Sequence, residues 1–193
     1  DHGEALGEHN LFALLYGLYD ELVWVPLMIR YPKKLEPKRV SRTVSTIDLF
    51  ATLVDLAELP EPEGGVKGVS LFATNEEAPV FSEFISGRPE KIQELLDRYP
   101  DIDIEREWRP QKSVVAHGHK LVRYSDGEEE LYDLVADPNE QNNLAGKGLS
   151  VEETLSSLLT EWQRNLVPHV SKQQAKPIAD EDWEELKALG YVQ

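Results

Sequence analysis

A nearly unbroken apolar run constrains this chain more than any other feature. Residues 22–31 read Leu-Val-Trp-Val-Pro-Leu-Met-Ile-Arg-Tyr, and Arg30 is the one charged residue among them. Such a run is typical of a strand buried on both faces of a sheet, with Pro26 at its start or at a bulge. It is far shorter than the roughly 20 residues of a membrane-spanning helix. We therefore expect a strand of a large sheet, whose exposed edge would promote a homo-oligomer.

Apolar periodicity predicts the other elements. Helices are expected over residues 46–59, 89–99, 151–166 and 183–189. Strands are expected over residues 80–85, 114–124 and 130–134, with a turn at residues 125–128 joining the last two into a hairpin. Capping boxes are predicted at Ser45 with Asp48 and at Ser150 with Glu153. This order indicates a strand and helix of one unit followed by an α+β unit.

The charge balance excludes several classes of partner. The chain carries 20 Lys and Arg against 36 Asp and Glu, a net charge of −16. Binders of nucleic acid and of anionic membranes use basic side chains to neutralise phosphates, so neither partner is expected. The chain has no cysteine, which excludes a disulfide, a thiolate zinc site and a cysteine nucleophile within it.

The first residues, Asp1-His2-Gly3-Glu4, form a charged turn with no lead-in strand or cap. We therefore expect the chain to be a fragment of a longer protein. No secretory leader or membrane-spanning segment is visible in it. This leaves the compartment unknown, with the cytoplasm favoured.

Several strings occur in the order of one known family. They are Asp1-His2-Gly3-Glu4 with Leu6-Gly7-Glu8-His9, Leu18-Tyr19-Asp20-Glu21, Val25-Pro26-Leu27-Met28-Ile29-Arg30-Tyr31-Pro32, Gly68-Val69-Ser70-Leu71, His119-Lys120-Leu121-Val122, Glu130-Leu131-Tyr132-Asp133-Leu134 and Leu189-Gly190-Tyr191. Each string is weak alone, but the ordered set resembles the sulfatase family of the alkaline-phosphatase-like superfamily along nearly the whole chain.

The resemblance implies an α/β fold of alkaline-phosphatase type. Residues 1–70 would be the last part of the main sheet domain, and residues 71–193 a small α+β C-terminal subdomain with an antiparallel hairpin and a packing helix. Sulfatases cleave sulfate esters of small molecules or carbohydrates with a formylglycine nucleophile from their N-terminal half. This chain would then be a C-terminal portion that is inactive alone.

The resemblance also implies a metal site. Asp1 and His2 match two ligands of the family's divalent cation, for which Ca²⁺ is expected and Mg²⁺ or Mn²⁺ is possible. The dipeptide alone is more typical of a turn beside a surface histidine. Two side chains rarely hold a hard ion, so the site is expected in the intact protein and not in the fragment.

One position departs from the family pattern. Leu14 stands where sulfatases commonly carry the Lys or His that contacts the sulfate and helps to protonate the leaving oxygen. Three explanations stay open: a different local alignment, a substitute donor such as Tyr16, or a member with weak or no activity. His9 either orients a ligand near the substrate or is a structural histidine satisfied by the backbone.

Two other functions remain possible. A phosphodiester or phosphonate monoester hydrolase of the same superfamily would share the Asp-His-Gly-Glu turn, because phosphate and sulfate present similar oxygens. A non-catalytic relative would explain Leu14. His117 and His119, two apart on a predicted strand, should share one face, and a half-exposed pair explains them better than a metal site does.

Overall fold

The computed structural model describes residues 2–13, 17–73, 77–85, 93, 96–98, 108–166, 183 and 186–188. The helices predicted at residues 89–99 and 183–189 lie mostly outside these ranges, although residues 96–98 and 186–188 are helical. The described part is an α/β arrangement in which a short N-terminal segment packs against an antiparallel sheet. No helix within the described residues combines the length and apolar character that a membrane crossing requires.

The described residues of the N-terminal part form two strands, two α-helices and a short 3-10 turn at Glu8–Asn10. The strands and α-helices are β1 (Ala5–Leu6), β2 (Phe12–Ala13), α1 (Asp20–Val23) and α2 (Asp48–Leu56). β1 pairs with β2 in an antiparallel two-stranded ribbon. The helix predicted over residues 46–59 is confirmed as α2, which ends before Pro60 because proline cannot continue a helix.

A four-stranded antiparallel sheet forms the C-terminal part. Its strands are β3 (Val80–Phe84), β4 (Gln111–Ala116), β5 (His119–Tyr124) and β6 (Glu129–Asp133), which lie side by side in chain order. Helix α3 (Ser150–Asn165) covers one face, where Leu155 and Leu159 are fully buried against Val114, Leu121 and Leu131. The predicted α+β unit with its packing helix is confirmed.

The prediction of one strand over residues 114–124 is wrong. The chain turns back at His117 and Gly118, whose φ angles are 54° and 70°. Two successive residues with positive φ are typical of the tight turn that suits the twist of a hairpin, and glycine adopts that conformation at no steric cost. His117 therefore lies in the turn, and the expectation that it shares a strand face with His119 is also wrong. The Nδ1–H of His119 donates to the carbonyl of His117 at 2.9 Å.

The second predicted hairpin is confirmed. β5 and β6 pair from His119 opposite Asp133 to Arg123 opposite Glu129. The amide of Tyr124 donates to the carbonyl of Glu128 at 2.9 Å and closes the turn.

Neither predicted capping box forms. α2 and α3 begin without a side-chain hydrogen bond at the N-cap. Asp48 instead accepts the backbone amide of Val69 through Oδ1 at 2.9 Å, so it holds a distant loop and not its own helix start. Thr52, one turn further along α2, accepts the amide of Leu71 at 3.0 Å. These two bonds attach the backbone of residues 69–71 to α2.

The strand predicted over residues 22–31 is not formed. Asp20 to Val23 make the single turn α1, and residues 24–31 are irregular. Trp24 is 65% exposed and Met28 is 91% exposed. A strand exists only beside another strand that shares its hydrogen bonds, and the described residues place none here. Since residues 22–31 form no strand, they offer no sheet edge that would promote a homo-oligomer. The exposed apolar side chains of this segment remain.

The N-terminal segment packs against the sheet through a second apolar cluster. Ala5, Leu11, Tyr19 and Leu22 are buried together with Tyr132 of β6. The cluster joins residues from both sides of the boundary predicted at residue 70, which itself stays a prediction. This contact places the residues of the candidate site directly against the C-terminal sheet.

Candidate functional site

The described part of the candidate metal site begins at His2. Asp1, the other predicted ligand, lies outside the described residues. His2 is exposed, and its Nδ1 lies 2.9 Å from the carbonyl oxygen of Gly3. A carbonyl can only accept, so the proton is on Nδ1 and the lone pair of the neutral ring is on Nε2. A backbone acceptor that fixes the tautomer in this way is typical of histidines that bind metal.

Gly3 joins the start of the chain to α1. Its amide donates to the carbonyl of Leu22 at 2.8 Å. A Cβ at residue 3 would lie 1.9 Å from the carbonyl oxygen of Glu21, which is closer than any real contact allows. Glycine is therefore required by the close approach of two backbones. Close packing against α1 therefore explains the glycine in the Asp-His-Gly-Glu string.

A tight turn follows between β1 and β2. His9 and Asn10 adopt φ angles of 51° and 59°, in the left-handed region that residues with a Cβ rarely occupy. Glu8 stabilises this turn, since its Oε2 accepts the amide of Leu6 at 2.7 Å. Hydrogen bonds from the backbone amides of Glu8 and Leu6 hold the pKa of the Glu8 carboxyl below its usual value. Glu8 is a structural acceptor of the turn.

His9 lies on the inner side of this turn. Its ring stacks on Tyr19 with centroids 3.7 Å apart and planes 5° apart. Its Nε2 lies 3.9 Å from Oε1 of Glu21. Nε2 of His9 and Oε2 of Glu21 are both buried and have no hydrogen-bond partner within the described residues. Both alternatives for His9, a residue that orients a ligand near the substrate and a structural histidine, stay predictions.

A buried ion group lies next to Tyr19. Nζ of Lys120, on β5, is 2.8 Å from Oδ1 of Asp20 and 2.9 Å from Oε1 of Glu140. The side chains of Lys120 and Glu140 are fully buried. The amide of Asp20 donates to Oε2 of Glu140 at 2.6 Å. Burial raises the pKa of the Glu140 carboxyl, and the charge of Lys120 opposes that rise.

Sequence reasoning missed this group. Asp20 and Lys120 stand in strings that carry the family resemblance, and Glu140 lies outside them. The sequence contains one weak signal for such a group. A lysine among inward-facing residues of a covered strand is buried, and a buried lysine needs a charged partner.

A polar cavity of about 340 Å³ adjoins the ion group. Its lining includes His9, Tyr19, Glu130, Tyr132 and Glu140. The cavity thus joins the turn of His9 to β6 and to the buried carboxylates. Burial, followed by the nearby Tyr19 and Glu130, raises the pKa of the Tyr132 hydroxyl far above its usual value, so this hydroxyl stays protonated.

The described residues do not include the other predicted site residues. Leu14 and Tyr16 lie outside the described residues, so the departure at Leu14 and the substitute donor stay predictions. Within the described ranges, no three His, Asp or Glu side chains come close enough to hold a metal ion. The donor chemistry of His2 fits a cation, but a complete ligand set needs groups beyond those described here.

Comparison with known proteins matches most of the chain. The family model described as N-sulphoglucosamine sulphohydrolase, C-terminal, matches residues 7–165. The uncharacterized sulfatase YidJ of Escherichia coli K12 is 34% identical over 148 residues, which are 75% of this chain and 26% of that protein. An N-acetylglucosamine-6-O-sulfatase of Bacteroides thetaiotaomicron is 30% identical over 169 residues, which are 85% of this chain and 29% of that protein. The chain spans less than a third of the length of these relatives.

Solved structures share the fold. A structure in complex with its substrate, D-glucosamine-2-N,6-O-disulfate, aligns with a TM-score of 0.61 at 27% identity, over 84% of this chain and 32% of that one. A phosphonate monoester hydrolase of Agrobacterium radiobacter aligns with a TM-score of 0.62 at 23% identity, over 84% of this chain and 33% of that one. The second likeness concerns the fold alone.

Proposed function

The chain belongs to the sulfatase family, and from this premise we propose that it is the C-terminal portion of a metal-dependent sulfuric ester hydrolase. The observation that carries the proposal is the family match over residues 7–165. The nucleophile, which we propose to be a formylglycine, would come from a part of the protein outside these 193 residues. The chain would supply part of the cation site and the scaffold that holds it.

His2 is the residue of this chain that supports the metal site best. Its hydrogen bond to Gly3 leaves the lone pair on Nε2, and Asp1 beside it would add a carboxylate. A carboxylate-containing site suits Ca²⁺, with Mg²⁺ or Mn²⁺ as alternatives. When bound, the cation would polarise the sulfuryl oxygens as a Lewis acid. The rigid contact of Gly3 with α1 would hold the imidazole in place while charge develops on the substrate.

We propose a sulfated carbohydrate as the substrate. One relative is an N-acetylglucosamine-6-O-sulfatase, and one structural neighbour holds a glucosamine disulfate that its description calls its substrate. A sugar alkoxide is a poor leaving group and needs a proton, which the Leu14 side chain cannot supply. Tyr16, or another donor outside this chain, would have to deliver it.

The test uses the intact protein with paired sulfate and phosphate esters of N-acetylglucosamine and of 4-nitrophenol. We expect hydrolysis of the sulfates, loss of activity with a chelator, and a fall in kcat/KM of about 100-fold or more in His2→Ala, the size that loss of one electrostatic stabiliser has. The matched control is His119→Ala, which removes an imidazole hydrogen-bonded to the His117 carbonyl within the β4–β5 hairpin and should leave the rate unchanged.

The other outcomes separate the alternatives. Hydrolysis of the phosphates alone would contradict the proposal in favour of a phosphodiester or phosphonate hydrolase. No hydrolysis of any ester would favour the non-catalytic relative. Hydrolysis of the aryl sulfate without the sugar sulfate would indicate that neither Tyr16 nor another group replaces the proton donor missing at position 14, since a phenolate leaves without one.

A further inference from the structure

Buried charges make the contact between the N-terminal segment and the sheet. Nζ of Lys120 reaches Asp20, 100 positions earlier in the chain, at 2.8 Å and Glu140 at 2.9 Å. A buried ion group adds little stability over apolar side chains of similar volume, because each charge loses its hydration. Its geometry, however, admits few other arrangements, so it fixes where Asp20 lies.

Glu140 holds Asp20 through the backbone as well. Its Oε2 accepts the Asp20 amide at 2.6 Å, while its Oε1 is held by the charge of Lys120 and not by an aligned hydrogen bond. Glu140 adopts a φ of 53°, a conformation that is strained for a residue with a Cβ. Such strain persists where surrounding contacts over-determine the backbone. Asp20 is therefore held through its side chain by Lys120 of β5 and through its amide by Glu140 in the loop after β6.

Helix α1 carries this constraint to the start of the chain. Asp20 is the first residue of α1, and the carbonyl of Leu22 in the same turn accepts the Gly3 amide at 2.8 Å. A Cβ at residue 3 would lie 1.9 Å from the Glu21 carbonyl oxygen. The two backbones are therefore so close that Gly3 cannot shift along α1. His2 is covalently next to Gly3 and hydrogen-bonded to its carbonyl.

We propose that Lys120 and Glu140 are positioning residues of the candidate metal site, an inference that rests on the function proposed above. They act through Asp20 and α1 to fix Gly3, and thereby His2, against the sheet. This role requires no contact of either side chain with the cation or the substrate. The C-terminal sheet would then contribute to the reaction as the rigid body on which the ligand-bearing segment is placed.

The experiment compares variants of the intact protein. Lys120→Met removes the ammonium and keeps most of the side-chain volume, and Asp20→Asn removes one charge without changing the shape. The matched control is Lys112→Met on the neighbouring strand, where Lys112 pairs with Glu83 at 3.0 Å and is 30% exposed. Two quantities are measured for each: hydrogen exchange of the Gly3 amide, and calcium affinity by titration calorimetry.

We expect exchange at Gly3 to become at least about 10-fold faster in Lys120→Met, and calcium affinity to fall about 10- to 100-fold. Amides of β4 and β5 report the loss of global stability, whereas Gly3 should exchange by local opening while those sheet amides remain the better protected ones. Lys112→Met should match the wild type in both measurements. A role confined to folding would move β4 and β5 together with Gly3. Wild-type exchange at Gly3 and wild-type calcium affinity in Lys120→Met would overturn the proposal.

Asp20→Asn decides the matter if Lys120→Met does not fold. Faster exchange at Gly3 with protected sheet amides would support the proposal, and unchanged exchange at Gly3 would overturn it. A wild-type protein that binds no calcium would contradict the metal site of the proposed function. The exchange measurements would still decide whether Lys120 positions residue 3, so the two failures are distinguishable.

Discussion

Replacing Lys120 by methionine should destabilise the fold by about 3–5 kcal/mol, the usual loss when one partner of a buried ion pair is removed. Glu140 is fully buried, and its carboxylate would lose the cation at 2.9 Å. Asp20 would lose its own contact at 2.8 Å and would face Glu140 without a charge between them. Methionine fills a similar volume, so the loss of packing should be small beside the electrostatic loss.

The size of this loss should depend on pH. Burial holds the pKa of Glu140 above its ordinary value, and Lys120 limits that rise. A carboxyl whose folded pKa lies above its unfolded pKa costs stability as the pH rises from the unfolded value through the folded one. Without Lys120 the pKa of Glu140 rises further, so protonation relieves more of the penalty in acid. The two proteins should therefore differ less at about pH 5 than at about pH 8.

Urea unfolding at both pH values, followed by circular dichroism, measures the difference. The control Lys112→Met breaks an ion pair with Glu83 in which the side chains are 30% and 34% exposed. Exposed pairs contribute at most about 1 kcal/mol, and this loss should change little between the two pH values. Equal, small losses in the two variants would refute the reasoning, as would a Lys120→Met loss that is the same at both pH values.

Four further predictions concern the core, the turn and the chain as a whole. Leu155→Ala, at a fully buried side chain, should lower the free energy of unfolding by about 2–5 kcal/mol, and a loss near zero would contradict the described core. Gly118→Ala, at a φ of 70°, should cost about 1–2 kcal/mol by the same measurement, and an unchanged urea midpoint would speak against the two-residue turn. The purified 193 residues should hydrolyse no aryl sulfate, because the proposed nucleophile lies outside them, and any measurable rate would refute this. We expect the purified chain to associate with a second copy through its exposed apolar surface. Met28→Glu, at a side chain 91% exposed, should shift light scattering toward the monomer, whereas a wild type that is monomeric at high concentration would contradict the expectation.

Local periodicity allowed the sheet unit to be predicted. Helix α3 repeats its apolar residues at helical spacing over 16 residues, and Leu155 and Leu159 are buried as that pattern requires. The hairpin of β5 and β6 carries its own turn chemistry at Asp126 and Gly127. In both cases the residues that determine the structure are neighbours in sequence, so the sequence alone was sufficient.

Predictions failed where the contact that determines the structure is distant in sequence, or where a turn lies inside a segment that resembles one strand. The prediction treats the apolar residues on either side of His117 and Gly118 as one strand, although these two residues form the turn between β4 and β5. The run at residues 22–31 has no internal period, and its conformation depends on a neighbour that the described residues do not supply. Asp48 fitted a capping box, but its carboxylate binds an amide 21 positions away.

The candidate site depends on local sequence patterns and also on contacts between residues that are distant in sequence. The sequence placed His2 and His9 in one short segment, and the structure adds what holds that segment: the Gly3 contact with α1 and the clamp of Lys120 on Asp20. The segment buries several apolar side chains against Tyr132, but hydrophobic contact is non-directional, so it alone would leave the register weakly defined. A charge group with fixed geometry restricts that register at a cost in desolvation. The chemistry of the site is therefore local in sequence, whereas its precision depends on residues more than a hundred positions away.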